Sequence, residues 1–377
     1  MENPTKQSFV IIIKIMQIIR WYPTEKQSQF HLVEGYILYI FLLVVVVLLV
    51  AAQMFVAKGY DFTQVVFIGL TLFYALKLLP FLNGNDRIKK CISYFDGDEF
   101  QPRDETKQEI LSKSVFLCQI ITKLFLSGVT SAEILSAVPA LLSNENELPL
   151  PMWLPYSINK SSVIYYTTYV YLCIAIVYVG FATALLDPLI GGLAFQAVSQ
   201  LKILKHRLQN LQNFSKYGSN STLIQTGIYQ QLIGCVEHHN AILKFVSEYE
   251  QCFSWTIFNQ FMGTTSVLCF ICIAITTVPL VSIDAVKYII FFFVVNWQAL
   301  FYCYFGTLLY EESDTLVTAI YLSQWYEYPV EAQKIIFTLM ERAKQPMILS
   351  AEKLLDLTLD TFTAILKRSY SLIAFLK

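Results

Sequence analysis

The chain has 377 residues, 55% of them hydrophobic and only 15% charged, and its mean hydropathy is +0.52. A soluble domain carries about 25% charged residues, so this composition excludes an ordinary water-soluble globule and indicates an integral membrane protein. The formal net charge of −1 gives no sign of a nucleic-acid partner; the information lies in where the charges fall.

The N-terminus lacks the ordered charged, apolar and cleavage regions of a secretory signal. Phe9 to Tyr22 reads as an apolar helix with Lys14, Gln17 and Arg20 at steps of three. Within an N-terminal segment, residues 1–35, that pattern predicts a helix at the cytoplasmic membrane interface.

Seven longer apolar stretches follow. They are Tyr36–Val56, Phe62–Leu82 with Lys77 inside it, Ser114–Leu142 with Lys123 and Glu133, and the uncharged Val163–Leu186. Gln251–Ile283, Tyr288–Tyr310 and Leu354–Lys377 complete the set. Each is long enough to cross a bilayer and none alternates like a barrel strand, so all read as helices. The predicted fold is an all-α membrane protein with seven transmembrane helices.

Nineteen Lys and Arg residues lie before the first stretch, between the second and third, between the fourth and fifth, and between the sixth and seventh. The opposite side holds only Lys58, Lys160, Lys287 and Lys377. The positive-inside rule then predicts a cytoplasmic N-terminus and an extracellular C-terminus. This orientation argues against a G-protein-coupled receptor, and the acidic-Arg-Tyr and Asn-Pro-x-x-Tyr motifs of that class are absent.

All eight cysteines fall in the apolar stretches or on the predicted cytoplasmic side, so no disulfide is expected. Cys269-x-x-Cys272 lies in an apolar stretch without a second ligand pair and reads as helix packing. On the opposite side, Ser143–Ser162 is the long loop, with Pro149, Pro151, Pro155 and the sequon Asn159-Lys160-Ser161.

Helical periodicity continues past the fourth stretch. Leu201, Leu204, Leu208 and Leu211 recur at steps of three and four. Before the fifth stretch, Leu232, Cys235, His239, Ile242 and Phe245 or Val246 do the same. A further helix is expected over Val330–Arg342, with Ile335, Ile336 and Leu339 as its apolar face, started by Pro329. Projecting helices with apolar stripes need partners. The expected organisation is therefore spans over 36–194, projections over 195–250, spans over 251–310, an anchor helix in 311–349 and a last helix over 350–377. His238-His239 reads as a packed or solvated pair, since no cysteine or carboxylate cluster accompanies it.

The last helix differs from the others. Asp356, Asp360, Thr363, Lys367 and Ser371 recur at steps of four, three, four and four, which places them on one face; Leu355, Leu359, Phe362, Leu366 and Ile373 fall on another. Two arrangements fit such a stripe: a water-filled path lined by copies of the helix, or a helix lying flat on the membrane.

From Cys303-Tyr304-Phe305-Gly306 onward the chain resembles the insect odorant receptors of the ligand-tuned type. The resemblance continues through Glu312-Ser313, Leu316, Ala319-Ile320-Tyr321, Trp325 and Gln345-Pro346-Met347, and then from Asp360 to Ser371. It covers about the last fifth in residues, with length, hydropathy and orientation extending it over the whole chain. The Thr-Tyr-x-x-x-x-x-Gln-type ending of gustatory receptors is absent.

What the resemblance implies is a subunit of an odorant-gated, nonselective cation channel in the plasma membrane of a sensory neuron. Its partner would be the odorant receptor co-receptor in a heterotetramer, each chain giving its last helix to one pore. Lys367 and Ser371 would line that pore, and Leu372, Phe375 and Leu376 would form an apolar gate. The odorant, a small volatile, would bind between spans two and six, near Phe73, Tyr74, Ser127, Ser131, Tyr169, Leu172, Ile273, Thr277, Tyr288 and Phe292. No phosphate loop, nucleophile triad or metal cluster appears, so neither an enzyme nor a cofactor is expected. The alternatives are a gustatory-type channel of the same fold and a transporter, although the transporter's internal repeat and broken helices are not seen.

Overall fold

The computed structural model describes residues 4–22, 29–56, 62–83, 85–101, 104–142, 148–150, 152–158, 161–211, 221–277, 279 and 283–376. Two short helices, α1 (Pro4–Gln7) and α2 (Val10–Ile18), open the chain. The chain then reverses at Arg20, whose φ of 64° is left-handed. The turn folds Phe9, Ile12, Met16 and Trp21 into the core, and the Trp21 indole donates to the Tyr178 hydroxyl. The N-terminal helix is thus shorter than the periodicity predicted, because the turn ends it before Tyr22.

Helix α3 (Gln29–Tyr39) runs through a π turn (Ile40–Val44) into α4 (Val45–Val56). Next come α5 (Phe62–Asn83), α6 (Asn85–Ser93), α7 (Glu105–Leu142), α8 (Ser162–Gln209), α9 (Ser221–Thr277), α10 (Ile283–Tyr321) and α11 (Val330–Ala343). A hairpin of β1 (Ser350–Ala351) and β2 (Leu355–Asp356) precedes α12 (Leu359–Leu376). Among the described residues, five segments are long and apolar enough to cross a bilayer: Val33–Gln53, Glu105–Ile134, Ser162–Gln209, Gly227–Ile275 and Tyr288–Tyr321. Helices α5 and α12, read from sequence as the second and seventh spans, are not among these five.

Several boundaries differ from the sequence reading. The projections are continuous with the apolar stretches, so Ser221–Thr277 is one unbroken helix that ends before Ile283. Helix α7 starts nine residues before Ser114, and α10 continues past Tyr310 to Tyr321. Helix α8 runs through Pro188 without a break.

The largest correction concerns the last helix. Leu354–Thr358 is not helical. Glu352 and Lys353 adopt left-handed φ values of 52° and 55°, which close the antiparallel hairpin pairing Ser350 with Asp356. Asp356 and Leu355 are therefore strand residues. Helix α12 starts at Leu359, where the Thr358 hydroxyl accepts from the Thr361 amide at 3.3 Å and satisfies one of the first-turn donors.

The core is densest at the basic end of the long helices. Leu201, Leu204, Leu208 and Leu211 are all buried, as are Leu232, Cys235, His239, Ile242 and Phe245. Helix α11 covers this end with Ala332, Ile336, Leu339 and Ala343. Glu312 of α10 pairs with Lys205 at 2.5 Å and Lys202 at 3.7 Å. The Ser313 hydroxyl accepts from the Met347 amide at 2.8 Å, tying the segment after α11 to α10.

Candidate functional site

Helix α12 lies against the later parts of α9 and the adjoining part of α10. Ile365 and Ser369 are buried in that contact, and the Cys269 thiol approaches the Ser369 carbonyl at 3.8 Å. Leu366 packs against a cluster formed by Val267, Leu268, Ile271, Ala274, Tyr288 and Val295. The opposite face carries Asp360, Thr363, Lys367 and Ser371, all exposed. Arg368 is exposed beside them. The side chains of Leu372, Phe375 and Leu376 lie outside the described residues.

The entry to α12 is fixed by a close approach. A Cβ placed on Gly306 of α10 would sit 2.0 Å from the Leu357 carbonyl oxygen. Only glycine lets the chain pass there. Immediately afterwards the Leu359 amide donates to the Thr307 hydroxyl at 3.0 Å. Gly306 and Thr307 together set where α12 leaves α10.

A second feature is a buried polar network joining α5, α8, α9 and α10. Lys77 and Asp187 form an ion pair, with relative exposures of 1% and 0%. Lys77 also donates to the Gln260 side-chain oxygen at 2.9 Å. Its ammonium lies 5.8 Å from the centroid of the Tyr302 ring, and the Tyr302 hydroxyl donates to Asp187. Gln260 continues the chain to Gln298 at 3.1 Å, beside which the Tyr74 side chain lies. Two charges this deep require each other, since removing one leaves the other unpaired in a low-dielectric interior. Among the described residues, the second carboxylate oxygen of Asp187 has no partner.

A family model for the 7tm odorant receptor matches residues 60–370. The chain belongs to the insect 7tm odorant receptor family. This receptor is 21% identical to Odorant receptor 19a of Drosophila melanogaster over 272 residues, 72% of this chain and 69% of that one. It is 24% identical to isoform B of Odorant receptor 46a of the same fly, over 97% of this chain and 95% of that one. Among solved structures it resembles the olfactory receptor OR5 of Machilis hrabei, with a TM-score of 0.82 and 15% identity over 98% of this chain and 97% of that one. The same receptor in complex with eugenol gives 0.80 and 14% identity over 99% of each chain. The family is one of receptors rather than enzymes, and the receptor is a multi-pass membrane protein that serves olfaction.

The residues expected near an odorant fall into separate packing groups. Phe73 and Tyr74 of α5 are half-buried. Phe73 abuts Gly263 of α9, where a Cβ would lie 2.8 Å from its ring, and Tyr74 joins the polar network. Tyr169 is buried, and its hydroxyl donates to the Ala137 carbonyl of α7 at 2.8 Å. Leu172 lies in the main core. Tyr288 belongs to the cluster under α12, with Phe292 packed beside it and Ile273 half-buried on the same helix as Ile271. Ser127 and Ser131 are exposed on α7 and bond back to their own helix, to the Leu124 and Ser127 carbonyls at 3.0 and 2.7 Å. The Thr277 side chain and the sequon residues Asn159 and Lys160 lie outside the described residues.

Asp187 is the residue that sequence reasoning missed. The fourth apolar stretch ends at Leu186, one position before it. The signal was nonetheless present: a lone Lys77 in an apolar span calls for an acidic partner on a neighbouring helix. His238 and His239 are both buried, the packed alternative of the sequence reading.

Proposed function

We propose that this receptor is a tuning subunit of an odorant-gated, nonselective cation channel, with α12 lining the pore. The reading has seven spans, with α5 second and α12 seventh, a cytoplasmic N-terminus and an extracellular C-terminus. The observation that carries it is the one-sidedness of α12. One face is committed to α9 and α10, while Asp360, Thr363, Lys367 and Ser371 stay uncovered on the other. A polar face on a helix packed beside bilayer-length helices needs water or a neighbouring copy, and a central path through an assembly supplies both. In this reading the basic ends of α8, α9, α10 and α11 form the cytoplasmic anchor. The partner is the odorant receptor co-receptor in a heterotetramer in the dendritic plasma membrane.

In this reading the odorant site lies within the subunit, among α5 to α10; Tyr74, Tyr169, Tyr288 and Phe292, which sit in separate packing groups, are the rings and hydroxyls from which it would draw. Such a lining suits a small, partly aromatic volatile. The eugenol carried by the Machilis hrabei receptor is of that kind. Binding opens the pore to the extent that it favours the open state over the closed one.

The test is odorant-evoked current in cells expressing this chain with and without the co-receptor. Current that needs both chains supports the reading. Current from this chain alone points to a gustatory-type channel, and substrate uptake without conductance points to a transporter. Phe375→Ser is expected to raise basal current; an unchanged closed state removes the gate from that position.

A further inference from the structure

At the basic end of the bundle, a cavity of ≈ 410 Å³ opens between the start of α7, the last turns of α8 and the early part of α9. That volume lies within the range of small-molecule sites, about 300–1,000 Å³. It is far from α12 and does not include the residues assigned above to odorant or pore.

The lining is sorted by depth. Gln200, 1% exposed, forms part of the floor. Its side-chain oxygen faces the His238 Nε2 at 3.0 Å, while its amide nitrogen has no partner among the described residues. A buried amide donor without an acceptor costs free energy, and such groups are rare in folded proteins. Lys107 is also buried in this wall. Arg207 is half-buried, donates to the Gly234 carbonyl at 3.3 Å, and makes no ion pair among the described residues. All three line the same cavity. His238 is held down to about 3 by burial first and then by the positive charges of Arg207 and Lys107.

The rim has the opposite character. Asp98, Glu99 and Glu237 are exposed at its edge. Asp104, exposed as well, bridges Lys107 at 2.6 Å. A bare anion satisfies the floor but leaves the rim carboxylates facing it. A molecule that carries an anion at one end and hydroxyl donors at the other satisfies both.

We propose that this cavity binds a phosphorylated polyol, with the phosphate on Arg207, Lys107 and the Gln200 amide and the hydroxyls on the rim carboxylates. Guanidinium matches phosphate geometry through parallel N–H bonds. Such a group occurs on soluble sugar phosphates and on phosphoinositide headgroups. Lys107 is seven residues before Ser114, about 10 Å along the helix, so a headgroup at the membrane surface is within reach.

The experiment uses the full-length receptor, purified and titrated calorimetrically with glycerol 2-phosphate, inorganic phosphate and glycerol. A parallel arm measures binding to phosphatidylcholine vesicles with and without phosphatidylinositol 4-phosphate. The expected result is saturable binding of glycerol 2-phosphate, weaker binding of phosphate and none of glycerol. Binding in the vesicle arm alone assigns the site to the lipid headgroup, and binding in the soluble arm assigns it to a free phosphate. Arg207→Gln and Gln200→Met should each weaken binding about tenfold, the loss of one charge-assisted or one neutral hydrogen bond. Glu237→Gln, at an exposed position, should leave phosphate binding intact and reduce the preference for the polyol. Unchanged thermal unfolding separates these effects from misfolding. Absence of saturable binding in both arms, or affinity unchanged in all three variants, overturns the proposal. Odorant-evoked current is a separate readout, so the site stands or falls independently of the channel reading.

Discussion

Helix α8 is built as two different helices in one body. From Ala182 to Leu204 nearly every side chain is buried, including Leu185, Leu186, Leu189, Ile190, Leu193, Val198 and Leu201 at 0% exposure. From Val163 to Gly180 only one stripe is covered: Tyr165, Thr168, Tyr169, Leu172, Ala175 and Tyr178. Val163, Tyr166, Val170, Ile174 and Val177 remain exposed. One end therefore packs like the core of a soluble bundle, while the other leaves its sides to lipid, ligand or neighbouring chains. Local stability follows buried contacts. The dense end should hold the subunit together, and the open end should be free to respond.

Asp187 stands at the junction of these two regions, and its loss tests the comparison hardest. Asp187→Ala leaves Lys77 buried without its charge partner, a change that costs about 3–5 kcal/mol. Thermal unfolding of the purified receptor and its surface expression should both fall. The double change Lys77→Met with Asp187→Leu replaces the pair by apolar side chains and should recover most of that loss. A double variant as unstable as the single one would show that the junction depends on packing alone.

The sequence revealed the dense end better than the junction. Leucines at steps of three and four on α8, and the matching run on α9, follow directly from the helical repeat, and each of those positions is buried. Asp187 was not legible in the same way, because periodicity describes one helix while its partner lies on another, 110 residues away. The hairpin before α12 was hidden for a different reason. Glu352 and Lys353 take left-handed backbone angles usually given to glycine, so no residue type marked the turn. The stripe of α12 survived this error, since Asp360, Thr363, Lys367 and Ser371 are all within the shorter helix and all exposed. The positions expected near the odorant rest on family resemblance and chemical type, neither of which shows whether Ser127 faces inward or outward; it is exposed.

Two glycines sharpen the contrast between packed and open surfaces. Gly306→Ala drives a methyl group into the Leu357 carbonyl, a backbone atom that cannot swing aside. The expected cost is about 1–3 kcal/mol, as for other overpacked sites, with α12 displaced from its seat. Altered basal current, together with a lowered unfolding temperature, would register both consequences. Gly128→Ala, on α7, meets nothing within 4 Å. There the gain in helix propensity, about 1 kcal/mol or less, should make the receptor slightly more stable. Equal effects at the two positions would mean that the close passage at Leu357 carries no strain.

Smaller than the loss of Asp187, and graded rather than abrupt, is a pH dependence confined to the dense end. His238 and His239 lie on α9 before Gln251, where the sequence reading starts its span. Burial pushes the first down to about 3 and the second to about 4. Both are therefore neutral in the folded receptor over a range where the unfolded chain takes up protons. Their contribution is complete above the ordinary value of 6.5 and drains away as pH falls toward the folded values. Between pH 7.5 and 5.5 the loss is about 1 kcal/mol for each fully buried imidazole. Unfolding followed by amide exchange should show α8 and early α9 weakening over that interval, while the segment around Tyr165 and Tyr169 keeps its protection. His238→Gln retains a hydrogen-bonding group toward Gln200 and removes the titration, so it should flatten roughly half of the slope. A slope unchanged in that variant would assign the pH response to groups outside the dense end.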